Sequence, residues 1–320
     1  MSTAAARSAT VFAPATVANV AVGFDILGFP IESVGDVITV STTDFPSVRI
    51  KEIVNETGHS GELDILVDPA KNAATVGLMR LRDELRLDFG FEVTIRKGIE
   101  LGSGMGGSAA SAAGALVAAN SLLERPLPVE ALVEYALLGE QAASGAAHPD
   151  NIAPCLFGGL TLVLSVNPVR YVSLPVPASI LTVLVHPRLR VDTKNSRSIL
   201  RPNVPLADHV QQSANLGAFI AGCFGNDLEM IRHSLSDLVI EPQRAPLIPG
   251  FADVKAAAME RGAIGASISG SGPSVFAWVS SAEAATEVRQ GMIQAFRSHR
   301  LTEVDSWISS VSRQGATVIR

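Results

Sequence analysis

The run LGSGMGGSAAS, Leu101 to Ser111, carries four glycines and three serines and passes without a break into an alanine-rich segment ending at Leu123. Glycines at 102, 104, 106 and 107 can bring main-chain N–H groups against an anion, and a helix behind them adds the positive end of its dipole. The chemistry this suits is the binding of a nucleotide phosphate. Neither common nucleotide signature fits. No Gly-Lys-Ser/Thr closes the run, and Glu124, the acid about 20 positions on, ends a helix rather than a second strand. On composition alone, a plain turn or a tight packing site is the alternative reading.

Other polar residues are ambiguous one at a time. Glu140 lies on a mostly apolar helical pattern, ten residues before Asp150, where a solvated carboxylate is the ordinary reading. Asn72 opens another helical pattern, as an N-cap does. His59, His209 and His233 have no partner at metal or triad spacing, and no nucleophile elbow marks a Ser-His-Asp hydrolase. Cys155 and Cys223 are too few and too far apart for a disulfide scaffold, and no Cys/His cluster has structural-zinc spacing. Both cysteines read as reduced and buried.

These residues must be positioned by a chain of 320 residues that is 47% hydrophobic and 18% charged, enough for one or two cores and two closely joined domains. The net charge of −6 is spread along the sequence, with no basic block and few aromatics, which argues against nucleic acid and for small-molecule partners. Met1 to Thr10 holds a single basic residue, Arg7, and no long apolar core, so no signal peptide is expected. No run of about 18 apolar residues is present to span a bilayer, which makes the cytoplasm the expected location.

The periodicity predicts an early strand, a loop around Asn19 to Asp25 and a second strand, then strands at 48–54 and 91–97 around a helix from Asn72 to Leu87. Helices follow at 108–123 and 129–144, separated by a turn at Arg125 to Pro128. The second half reads as strands at 157–164 and 180–185, helices at 208–224 and 227–238, and a proline-rich loop from Glu241 to Gly250. A helix from Val254 to Gly262, two apolar strands around the turn in ASISGSGPSVFAWV, a helix at 281–298 and a last strand near Val318 complete the chain. No fixed-period repeat or low-complexity stretch appears. The balance is α+β with antiparallel sheets, because hairpin-like pairs outnumber regular βαβ alternation.

Three unusual segments occur in a particular order: PATVANVAVGFDILG at Pro14 to Gly28, LGSGMGGSAAS, and SISGSGPSVFA at Ser267 to Ala277. Over essentially its whole length the chain resembles the GHMP kinase superfamily. Within that group the resemblance is closest to the homoserine kinase branch. Four stretches carry this: ANVAVGFDILG, SGAAHPDNIAPCLFGGL at Ser144 to Leu160, VDTKNSRSILRP at Val191 to Pro202, and EPQRAPLIPGF at Glu241 to Phe251. Four departures are visible. Met105 and Gly107 replace a Leu and a Ser of the usual loop, Asp192 stands where Ser is common, and Arg201 is inserted before Pro202. Met for Leu is a mild, volume-conserving change.

The resemblance implies a two-domain fold: residues 1–165 as a nucleotide-binding domain like ribosomal protein S5, and residues 166–320 as a ferredoxin-like α+β domain that contributes to the substrate site. It implies an ATP-dependent kinase, using Mg²⁺, that phosphorylates the side-chain hydroxyl of L-homoserine on the route to threonine, and a homodimer. ATP would lie on Leu101, Gly102, Ser103, Gly104, Met105, Gly106, Gly107, Ser108, Ala109, Ala110 and Ser111, with Asn72 near the base. Ser108 and Glu140 would hold the metal. For the amino acid, Arg197 and Arg244 would grip the carboxylate, since a guanidinium offers paired donors. Asp25 with Asn19 would take the ammonium, and His148 and Asn151 would close the pocket. Two readings of the proton acceptor stand open. Asp150 aligns with the carboxylate that mevalonate kinase relatives use as base, whereas the homoserine branch is often read as having none, with Asn151 and Arg197 orienting the hydroxyl. Ser267 to Ser274, with Gly270 and Gly272, is expected to be architectural, packed beside the phosphate loop. Competing expectations are a kinase for another small alcohol and a catalytically silent small-molecule sensor.

Overall fold

The computed structural model describes residues 7–59, 65 and 67–320. Residues 1–6, part of the segment read for a signal peptide, lie outside the described residues. Two long strands, β1 (Ser8–Ala18) and β2 (Leu27–Thr43), pair antiparallel and frame the 19–25 loop. Then come β3 (Val48–Asn55), α1 (Ala73–Glu84), β4 (Gly90–Lys97), α2 (Gly107–Ser121), α3 (Leu132–Ser144), α4 (Pro149–Phe157), β5 (Leu160–Val166) and β6 (Val169–Leu174). The order β11-β1-β2-β4-β3, with β5 on β2 and β6 on β5, makes a seven-stranded sheet in which only the β3–β4 pairing is parallel. Its last member, β11 (Thr317–Val318), arrives from the end of the chain, and the division expected at 165/166 falls within β5.

The second sheet, β10-β7-β9-β8, is antiparallel throughout. Its strands are β7 (Leu181–Pro187), β8 (Gly265–Ile268), β9 (Val275–Val279) and β10 (Val304–Ser310). Between β7 and β8 lie α5 (Thr193–Ser198), α6 (Leu206–Gly225), α7 (Leu228–Ser234), the short α8 (Glu241–Arg244) and α9 (Phe251–Glu260); α10 (Ala282–Ser298) follows β9. One face of this sheet buries Val183, Val275 and Val279 against Val254, Met292 and Phe296 of α9 and α10. The other face joins the main core, where Phe29 of β2 packs on Phe276 and Trp278 and Phe219 of α6 packs on Trp278. Residues far apart in sequence therefore share one apolar interior. Among the described residues no helix is long and apolar enough to cross a membrane.

The expected strands and long helices form, with ends shifted by a few residues. Five elements escape the periodicity: α4, β6, α5, β10 and α8, the last being a single helical turn at the start of the segment read as a proline-rich loop. The first turn of α4 is set by Pro149, whose missing N–H costs nothing there, but Pro154 inside nine residues hides the helical pattern. Helix α5 is six residues long and is set by its Asp192 N-cap, which accepts from the Asn195 N–H at 2.9 Å.

A cavity between a glycine loop and an Asp-Arg pair

The Leu101–Ser111 glycine loop packs on the second glycine motif, Ser267–Ser274. Gly104 sits at φ +75°, and a Cβ on it would stand 2.4 Å from the Ser269 carbonyl and 2.7 Å from that of Gly272, so only glycine lets the two main chains approach this closely. Ser269 Oγ donates to the Gly104 carbonyl at 2.8 Å, and Ser274 Oγ donates to that of Ser103 at 2.7 Å. The Ser267–Ser274 segment thus buttresses the loop, as expected. Gly106, left-handed at φ +68°, begins α2 without a side-chain cap, which leaves that helix end facing the cavity. Behind it Thr16 Oγ1 donates to Asn151 Oδ1 at 2.7 Å, filling the space where a Cβ on Gly106 would collide.

Beneath the loop lies a pair that the periodicity concealed. Lys97 and Asp36 are buried and ion-paired. The lysine also donates to the Gly107 carbonyl at 2.9 Å and Ser111 Oγ at 3.1 Å, while Asp36 Oδ1 accepts the N–H groups of Gly98 and Ile99. Strand end, loop and helix start are tied at one point. A Cβ on Gly107 would begin 3.2 Å from Ile99 Cγ2 and 3.4 Å from Lys97 Nζ. A side chain at Gly107 would therefore press on Ile99 and lie in ordinary contact with the lysine ammonium.

The opposite wall is built on a strained turn. Asn19, Val20, Ala21 and Asp25 all have positive φ, a conformation that costs about 1 kcal/mol or more at each non-glycine residue. Asn19 holds this turn: its Oδ1 accepts the Asp25 N–H at 3.1 Å and its Nδ2 donates to the Gly270 carbonyl at 2.8 Å. Asp25 then receives Arg197 Nη2 on both carboxylate oxygens, at 2.7 and 2.8 Å. Arg244 shares the Gly270 carbonyl through Nη1 at 2.8 Å. Phe24 lies against both guanidinium groups, 5.5 Å from Arg197 and 5.0 Å from Arg244, so its ring face attracts two cations that repel each other. Burial lowers the Arg244 pKa, partly offset by the charge of Asp25.

Between these walls stand the carboxylates. Glu140 on α3 and His148, at the N-terminal end of α4, pair at 2.9 Å, Oε1 to Nδ1. Burial works against the charged imidazole, but the hydrogen bond and the charges of Glu140 and Asp150 hold the His148 pKa above its ordinary value. Asp150, 2% exposed, is pushed up to about 7, first by burial and then by the nearby charge of Asp25. Among the described residues five buried atoms of the cavity lining find no partner: Ser103 Oγ, Arg197 Nε, Arg244 Nε, Glu140 Oε2 and Asp150 Oδ1. Two cationic donors and two carboxylate acceptors share one cavity of about 670 Å³. Such groups are costly unless something polar meets them.

Asn19, Asp25, Asn72, Leu101 through Ser108, Ser111, Glu140, His148, Asp150, Asn151, Arg197 and Arg244 all line that cavity. Ala109 and Ala110 do not. Both are fully buried in the core, and the Ala110 N–H is taken by the Gly106 carbonyl. Asn72 is the N-cap of α1, accepting from the Ala74 N–H, and also lines the cavity. Sequence spacing gave no sign of Thr16, Phe24, Asp36 or Lys97, because each meets its partner only across the fold. Outside the cavity, His59 also has a partner that spacing hid: it bonds Asp305 at 2.8 Å and lies near Glu100, with Arg188 against its other ring nitrogen.

Comparisons with known proteins agree with this geometry. Residues 70–159 match the family model for the GHMP kinases N terminal domain, and residues 216–298 match that for GHMP kinases C terminal. The chain is 46% identical to homoserine kinase of Xylella fastidiosa (strain 9a5c) over 98% of its own length and 95% of that protein. It is 43% identical to homoserine kinase of Chlorobium phaeobacteroides (strain BS1), over 98% of this chain and all of the other. The crystal structure of homoserine kinase from Cytophaga hutchinsonii superposes with a TM-score of 0.93 at 42% identity, covering 100% of this chain and 99% of that one. Mevalonate kinase from L. major, at 13% identity and a TM-score of 0.68 over 97% of this chain and 98% of the other, shares the fold.

Proposed function

Since the chain belongs to the homoserine kinase branch of the GHMP kinase family, we propose that it transfers the γ-phosphoryl group of ATP to the side-chain hydroxyl of L-homoserine, on the route to threonine, as a cytoplasmic homodimer. The observation that carries the reading is the cavity's polarity. One wall presents a glycine loop and a helix N-terminus, which suit a triphosphate. The other presents two buried guanidinium Nε donors beside Asp25, which suit an α-amino acid.

Phosphoryl transfer asks for positioning and charge stabilisation. Arg197 and Arg244 hold the substrate carboxylate, and Asp25 takes the ammonium as Arg197 turns part of its hydrogen bonding to the new anion. The Oδ1 of Asn151 is committed to Thr16, so what Asn151 offers the cavity is its amide N–H donors, fit to orient the hydroxyl oxygen and unable to remove its proton. Asp150, with a free buried oxygen and a pKa near neutrality, accepts that proton. The donor set fits Mg²⁺: Glu140 Oε2 is a buried oxygen without a partner, and Ser108 stands on the same cavity wall. Held there, Mg²⁺ would supply positive charge to offset that of the triphosphate.

The competing reading, a kinase for a different small alcohol, leaves Arg197, Arg244 and Asp25 without a purpose. An ADP-release assay with L-homoserine, L-threonine, mevalonate and galactose, with and without Mg²⁺, tests the proposal. Turnover only with homoserine and only with the metal is expected. Turnover of mevalonate or galactose instead assigns another alcohol, and no turnover with any of them leaves a sensor.

A further inference from the structure

Helix α6 is apolar on two faces. Inward it buries Phe219 and Cys223, with Leu216 partly buried against the core; half-buried Ile220 also touches the core and borders the outward face. Outward it exposes Leu206 at 76%, Val210 at 60% and Phe224 at 65%, with Gly217 facing open space between them. Asp208 is the only Asp, Glu, Lys or Arg in its 20 residues. A helix face meant for water carries charge; this one does not.

The outward row has a pattern that selects its partner. Leu206, Val210, Ser213, Gly217, Ile220 and Phe224 step by 4, 3, 4, 3 and 4 residues, the spacing of a coiled-coil seam. The row is also symmetric. Ser213 and Gly217 lie two residues on either side of Asn215, Val210 and Ile220 five, and Leu206 and Phe224 nine. An antiparallel copy of the same helix therefore meets it in register, with Leu206 against the partner's Phe224, Val210 against the partner's Ile220, and Ser213 against the partner's Gly217. Small residues fall at the crossing, where main chains come closest, and the opposed dipoles attract.

We propose that this chain dimerises about a two-fold axis through α6, packed antiparallel on α6 of a second copy. The contact is isologous, so it closes at two subunits. A helix of this length is about 30 Å long, and Val204 (41% exposed) and Met230 (40%) are further exposed apolar side chains in the segments that flank it. Such a contact reaches the lower range for specific dimers, about 600 Å² per partner. The inference supplies the face for the dimer proposed above and is independent of the kinase chemistry.

Sedimentation equilibrium of the full chain, as wild type, Val210→Asp and Phe224→Asp, tests it. The wild type is dimeric, and each variant raises the dimer dissociation constant by at least about 100-fold, because every lesion occurs twice in a two-fold interface. Far-UV circular dichroism of the variants matches the wild type, since both positions are exposed. The register has its own readout. A mixture of Ser213→Cys and Gly217→Cys chains forms a disulfide-linked dimer on oxidation. Leu206→Cys alone does not, because its two copies stand 18 helical residues apart, roughly 27 Å. A wild type that is monomeric at high micromolar concentration overturns both dimer and face. A dimer that survives Phe224→Asp overturns the face, and cross-linking of Leu206→Cys overturns the register. None of these outcomes bears on ADP release, which tests the kinase reading separately.

Discussion

Asp25 receives a single nitrogen of Arg197 on both of its carboxylate oxygens, at 2.7 and 2.8 Å, so the side chains assigned to the two charged ends of an amino acid hold each other. The pair keeps an anion and a cation side by side in the cavity, and Asn19 and Phe24 fix its two halves. Arg197→Met removes the carboxylate grip and leaves Asp25 alone. Losing a charged hydrogen bond costs about 1.5–3 kcal/mol, or roughly 10–100-fold. The KM for homoserine should rise by that factor while the KM for ATP changes less than about threefold. Equal changes in both would place Arg197 outside the acceptor half of the cavity.

Asp150→Asn separates the two readings of the proton acceptor. A loss in kcat of at least tenfold, roughly 1.4 kcal/mol of barrier, is expected; a smaller loss excludes an essential base. Stability gives an independent readout. Asp150 titrates at about 7 in the folded chain against 3.8 ordinarily, so between those values the unfolded chain releases a proton that the folded one keeps. The wild type loses stability from this group as pH rises through that interval and no further above it. The unfolding midpoint of Asp150→Asn should therefore gain on the wild type from pH 4 to 7 and then run parallel to it. A constant gap would show that the site does not raise this carboxyl.

Lys97→Met tests the ion pair under the phosphate loop. Breaking a buried pair by removing one member costs about 3–5 kcal/mol, whereas replacing both with apolar groups costs far less. Urea midpoints should fall strongly for the single variant and recover in Lys97→Met/Asp36→Leu. A double variant no more stable than the single would assign the lysine's effect to its bonds with Gly107 and Ser111 instead.

Much of this was legible in the sequence, for local reasons. Glycines at 102, 104 and 106 take the left-handed conformations that their type permits, and the alanine run behind them forms the helix that its propensity predicts. Asp25, Arg197 and Arg244 were found through the motifs that surround them. What stayed hidden depends on contacts across the fold. Asp36 and Lys97 sit in alternating strand patterns where a charge reads as solvent-facing, yet both are buried because each neutralises the other. Thr16 reads as one more strand residue until Asn151, 135 positions away, accepts its hydroxyl. No spacing rule reports that Phe24 faces two arginines.

Glu140→Gln tests the metal assignment. Its free Oε2 is the oxygen offered to Mg²⁺, and its Oε1 orients His148. The Mg²⁺ concentration for half-maximal activity should rise by about tenfold or more, a loss on the scale seen when groups around a metal are removed. An unchanged midpoint with a lowered kcat would make Glu140 a positioning residue for His148 alone.

The central claim, that one cavity joins a triphosphate to an amino-acid hydroxyl, is tested most directly by phosphorus NMR of the reaction with ATP, Mg²⁺ and L-homoserine. A phosphomonoester resonance of O-phosphohomoserine is expected to grow in step with ADP. Release of ADP and inorganic phosphate without that ester, or no reaction at all, would contradict the claim.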